Sequence, residues 1–93
     1  MQSGKARNIV GPQVRRCRKS AGLSQDELAA RCGVRGFDVS RSTISQIETG
    51  YRGVSDLEMV ILGRALGVAL DELVPASLPP WEKDMRPPKA GDA

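Results

Sequence analysis

The feature that most restricts this chain is its punctuation. Two S-x-x-E boxes, Ser24 to Glu27 and Ser55 to Glu58, stand before apolar runs, and glycines recur at 22, 33, 50 and 67. Such a box starts a helix, because the Ser oxygen accepts a free first-turn N–H while the Glu reaches back to the Ser N–H. A glycine just past an apolar run ends one. Starts and stops this close together leave room only for short helices. The spacing predicts a first helix from about Val10 to Ala21, with Val10, Val14, Cys17 and Ala21 on one face and Pro12 tolerated in its first turn. A second follows Ser24, points Leu28, Ala29 and Cys32 inward and ends at Gly33. After a loop over 34–39, a third begins near Ser40, carries Ile44 and Ile47 inside and ends at Thr49 and Gly50. Ser42 and Asp38 compete with Ser40 for its cap. The fourth opens at Ser55 and turns Met59, Leu62, Gly63 and Leu66 inward. A short fifth, over 70–74, is cut off by Pro75. The expected class is all-α, a compact five-helix domain.

Ninety-three residues support one domain with one modest core, and a single Phe, Trp and Tyr require that core to be aliphatic. Charge is divided unevenly along the chain. Residues 1–52 hold ten Lys and Arg against four acids, a net of +6, whereas residues 53–93 net −3. A basic half joined to an acidic half suits a polyanion partner on one side. There is no His, and Cys17 and Cys32 lie 15 residues apart, which excludes a zinc-finger pattern and His-based catalysis, and no metal ligands are assigned. Both cysteines read as small buried hydrophobes. No run approaches the length needed to span a bilayer and no signal peptide is legible, so the expectation is a soluble, cytoplasmic protein. Residues 1–8 read as a flexible polar arm, 9–75 as the domain, and 76–93 as a Pro-rich flexible tail in which Trp81 alone is suited to docking.

Two short helices joined by a turn, the second polar along its leading edge, are the parts of a helix-turn-helix. The stretches RKSAGLSQDELAARCGV, SRSTISQIETGYR and RALGVALDEL resemble, in order and composition, the lambda-repressor/Cro-like (XRE) family. The likeness covers about residues 9–74, and GLSQ-x-E-L-A followed by S-x-x-x-I-S-x-I-E-x-G carries it. It implies a transcriptional regulator, read as a repressor, whose helix over about 41–49 enters the major groove of double-stranded DNA. By that resemblance Arg41, Ser42, Ser45 and Gln46 face base edges, where Arg suits guanine and Gln adenine. Ser24 and Gln25 at the start of the second helix, Thr43, and Gly50, Tyr51 and Arg52 after the third would meet phosphates, with helix N–H groups supplying part of the attraction. It also implies an ion pair between Arg18 and Glu48. One departure stands out. The family joins its second and third helices by a tight turn, whereas Arg35-Gly36-Phe37-Asp38-Val39 has the look of a five-residue insertion and resembles a subgroup with a lengthened turn. Loops absorb such length cheaply. Phe37 or Val39 would fold over the core edge, and the aim of Arg41 and Ser42 is what the insertion bears on.

Leu57 and Ile61 form an i, i+4 apolar pair outside the predicted core face, which suggests a homodimer through the fourth and fifth helices and a near-palindromic operator. No cofactor and no small-molecule effector is implied. The competing reading is a protein-interaction or antitoxin-like module on the same fold, with weak or no operator binding. An enzyme is not expected: Asp26-Glu27 and Asp71-Glu72 read as first-turn acids favoured by helix dipoles.

Overall fold

The local rules act as written at three helix starts. In the computed structural model, which describes residues 6–77, Ser24 and Ser55 complete full capping boxes with Glu27 and Glu58. Ser40 accepts from the Thr43 N–H at 3.3 Å and is the cap of the third helix. The helices are α1 (Gly11–Ser20), α2 (Gln25–Val34), α3 (Arg41–Glu48) and α4 (Asp56–Leu66). A single 3-10 turn, Leu70–Leu73, follows. No strand occurs among the described residues. The expected fifth helix is therefore corrected to one turn. Between Gly67, in the left-handed region, and Pro75 the chain has room only for i→i+3 bonding, with Glu72 N–H to Ala69 and Val74 N–H to Asp71 at its two ends. Trp81 and the rest of the tail from 78 onward lie outside the described residues, as do residues 1–5.

Two helix limits also differ from the sequence reading. Val10 and Ala21 flank α1 instead of belonging to it, and Ala21 is exposed. Gly33 does not end α2. The helix continues to Val34, and the reversal falls on Gly36, whose φ of +91° only glycine adopts readily. There the Phe37 N–H bonds the Cys32 carbonyl and the Gly36 N–H bonds that of Gly33, the double wrap of a Schellman end. The first two residues of the lengthened turn thus finish α2. The third, Phe37, drops into the core.

That core gathers Val10, Val14 and Cys17 from the α1 region, Leu28, Ala29 and Cys32 from α2, Ile44 and Ile47 from α3, Leu62, Ala65 and Leu66 from α4, and Leu73. Met59 is only half-buried, while Ala65, not assigned inward from sequence, is buried. Each fully buried Leu or Ile contributes about 1.5–3 kcal/mol by leaving water. Both cysteines are buried and unpaired, and burial pushes the Cys32 thiol up, which keeps it an inert packing group. α3 packs on α1 and α2, and α2 also packs on α4, so two helices hold this short helix from behind while α4 backs one of them.

Candidate nucleic-acid interface

α3 is only eight residues long, and isolated helices of that length do not hold together in water. Packing must therefore fix it. Its inner side presents Ile44 and Ile47, both fully buried, while Arg41, Ser42 and Gln46 are exposed and Thr43 and Ser45 half-buried. An open groove of about 620 Å³ runs along the outer side, lined by Gln25, Arg41, Ser42, Ser45, Gln46, Thr49 and Tyr51. The leading end of α2 and the outer face of α3 therefore share one concave surface. Arg41 is the charged residue of its lining.

The network beneath this surface sets its shape. Arg18 of α1 donates from Nε to Glu48 Oε2 at 2.6 Å and from an Nη to Oε1 at 3.1 Å, with both side chains buried. Its remaining Nη donates to the Leu23 carbonyl at 2.8 Å. The Glu48 side-chain hydrogen bond raises the Arg18 pKa further, so the guanidinium stays charged. Glu48 Oε1 also accepts from Gln25 Nε2 at 3.1 Å. One carboxylate at the end of α3 thus fixes α1 on one side and the first residue of α2 on the other.

Other residues named from sequence fall as follows. Ser24 sits at the exposed start of α2, where its backbone N–H and its hydroxyl hold the Glu27 carboxyl below the usual carboxylate range. Thr43 lies off the groove, with its hydroxyl 3.2 Å from that of Ser40. Gly50 is buried with φ +85°, and Tyr51 keeps an exposed ring beside the groove. Arg52, read as a phosphate contact, has its guanidinium committed inside the molecule. It donates to Glu58 Oε1 at 2.9 Å and Oε2 at 3.2 Å, and lies 5.6 Å from the centroid of the Phe37 ring. Leu57 is 65 % exposed, whereas Ile61 packs against the core, so the two do not stand equally free.

Sequence reasoning missed three supports. Asn8, inside the stretch read as a polar arm, donates from Nδ2 to the Ile47 and Arg52 carbonyls at 3.0 and 2.7 Å. Its Oδ1 accepts the Val10 and Gly11 N–H groups, which fixes the entry of the chain into α1. An Asn just ahead of a Pro-containing first turn was the available signal. Arg7 reaches the same loop, from its N–H to the Gly50 carbonyl at 2.8 Å and from its guanidinium to that of Tyr51 at 3.0 Å. Gly11 lets α1 touch the end of α3: a Cβ there would fall on the Ile47 carbonyl oxygen and 2.8 Å from that of Glu48. Thr49, the seventh residue of the groove, was also unassigned.

This arrangement has counterparts in known proteins. A helix-turn-helix family model matches residues 14–73. An uncharacterized HTH-type transcriptional regulator of Sinorhizobium fredii, y4dJ, is 37 % identical over 68 residues, which are 73 % of this chain and 82 % of that protein. The restriction-modification controller protein C.AhdI of Aeromonas hydrophila superposes with a TM-score of 0.61 at 34 % identity, over 69 % of this chain and 86 % of that one. The P22 c2 repressor, whose structure is a complex with a synthetic operator, gives 0.61 at 26 % identity over 74 % and 97 %.

Proposed function

The chain belongs to the helix-turn-helix family of XRE type, and from that membership we propose that it binds double-stranded DNA sequence-specifically and acts in the cytoplasm as a transcriptional repressor. The observation that supports this most is the shared groove: an exposed polar face of α3 and the start of α2 lie together above the buried Arg18–Glu48–Gln25 network. A helix seated in the major groove needs this combination, with side chains for base edges and backbone N–H groups for a flanking phosphate. Arg41 takes a guanine through two hydrogen bonds, Gln46 an adjacent adenine, and Ser42 and Ser45 the edges beside them. Ser24, Gln25, Thr43, Gly50 and Tyr51 meet the phosphate backbone, which fixes register without reading sequence.

The working unit we propose is a homodimer in which Leu57, the exposed apolar residue of α4, lies at the contact and Ile61 supports it from the core side. Two recognition helices about one DNA turn apart then read a near-palindromic operator. Selection from random duplexes, followed by binding at rising salt, tests the reading. An enriched, roughly symmetric site bound with steep salt dependence is expected. A chain that retards no duplex at low salt, or binds without salt dependence, contradicts it. Sedimentation as a monomer at micromolar concentration, both free and on that site, contradicts the dimer alone.

A further inference from the structure

Arg52 joins more elements than any phosphate contact requires. Its N–H donates to the carbonyl of Gln46, in the last turn of α3, at 3.2 Å. Its carbonyl accepts from Asn8. Its guanidinium grips both oxygens of Glu58, in the first turn of α4, and donates to the Gly53 carbonyl at 2.9 Å. The same guanidinium stands over the ring of Phe37, within cation–π range. Phe37 is 7 % exposed and lies three residues before Ser40, the cap of α3. One side chain thus ties the segment leading into α3 to the segment leaving it, and both to α4.

We propose that Phe37, Arg52 and Glu58 form a lock that sets the aim of α3, so that the lengthened turn determines base preference without touching DNA. Arg52 is then a positioning residue and not a phosphate ligand. The physical argument is the direction in which each partner holds. The core seats the Phe37 ring, and the capping box holds Glu58, whose Oε1 also accepts the Ser55 N–H at 3.1 Å. Arg52 lies between two fixed groups, so its backbone, and through it the end of α3, has little freedom to rotate. Five added residues ahead of a recognition helix would otherwise leave that helix free to swing about Ile44 and Ile47. The partners are specific to this geometry: the ring supplies a flat electron-rich face and the carboxylate a bidentate match to a planar guanidinium.

The inference rests on the DNA-binding reading, and its test separates the two. The full chain, Phe37→Leu, Glu58→Gln, Arg52→Lys and Arg52→Ala are measured on the selected duplex and on its single-base mismatches, at two salt concentrations and below each variant's melting temperature. Leu fills the core without a π face, and Gln keeps the cap acceptor without the charge. The lock predicts that Phe37→Leu and Glu58→Gln narrow the ratio between preferred and mismatched duplexes by about three- to tenfold. It predicts an unchanged salt slope for every variant, with Arg52→Lys recovering part of the discrimination that Arg52→Ala loses. Unchanged mismatch ratios in Phe37→Leu and Glu58→Gln overturn the lock. So does Arg52→Ala flattening the salt slope by about one counterion with its ratios intact, the signature of a phosphate ligand. A full chain that retards no duplex overturns the DNA reading instead, and the lock with it.

Discussion

Two Arg–Glu pairs flank the recognition helix, and they differ mainly in depth. Arg18–Glu48 has side chains 9 % and 2 % exposed, whereas Arg52–Glu58 leaves 33 % and 24 %. Both are bidentate. In the buried pair every charge has been taken from water, so each partner depends on the other and on the Leu23 carbonyl and Gln25 for its compensation. The half-exposed pair can exchange its bonds for water at small loss. The same chemistry therefore holds α1 to the end of α3 in one pair and ties the loop after α3 to the start of α4 in the other.

Removing one partner of the buried pair should have the largest effect. Arg18→Ala leaves Glu48 buried without its counter-ion and should cost about 3–5 kcal/mol in denaturant unfolding. Arg16→Ala, on the same helix but exposed, should fall within about 0.5 kcal/mol of the unsubstituted chain. Equal midpoints for the two variants would remove the distinction. Next in size is Gly11→Ala. Alanine in a helix is ordinarily favoured over glycine by about 1 kcal/mol. Here the added Cβ must push α1 off the end of α3, and the melting temperature should drop by the equivalent of about 1–3 kcal/mol. A stabilised variant would mean that the two helices do not approach so closely.

The smallest effect belongs to Glu58→Gln, at about 1 kcal/mol or less. Its pH dependence is the informative part. The Arg52 side-chain hydrogen bond holds the Glu58 carboxyl below its ordinary value. The stabilisation is therefore complete above the unfolded-state pKa, about 4.3, and is lost as pH falls through the lower folded-state value. Melting temperatures of the two proteins should differ at pH 7 and converge in strong acid. A constant gap down to pH 2 would show that the charge contributes nothing.

What could be read in the sequence follows the range of the interaction. The three Ser caps rest on partners three residues away, and the buried faces of α2 and α3 rest on helical periodicity, so both were visible. The limits that moved, Gly33 to Gly36 and a fifth helix to one 3-10 turn, depended on competition between nearby stop signals. The Arg18–Glu48 pair was reached only through the family resemblance. Asn8 was missed because its acceptors lie 39 and 44 residues away, and Gly11 because the backbone that requires it belongs to α3. Arg52 and Glu58 each read locally in the sequence, as loop cation and cap, and nothing there joins them across six residues of loop and helix. Within the groove, residue types were legible, whereas the convergence of Gln25 with Arg41 and Gln46 required the packing of α2 on α3.

If the outer face of α3 reads bases, Arg41 at its leading end carries the largest share of that reading. The measurement is the affinity of Arg41→Ala for the selected duplex and for every single-base mismatch, at two salt concentrations. A base-reading Arg41 gives a loss of about 1–3 kcal/mol on the preferred site and a relaxed preference confined to one base pair. A uniform loss across all duplexes, with the mismatch profile intact and the salt slope lower by about one, would place Arg41 on a phosphate. That result would contradict the base-reading face assigned to this helix.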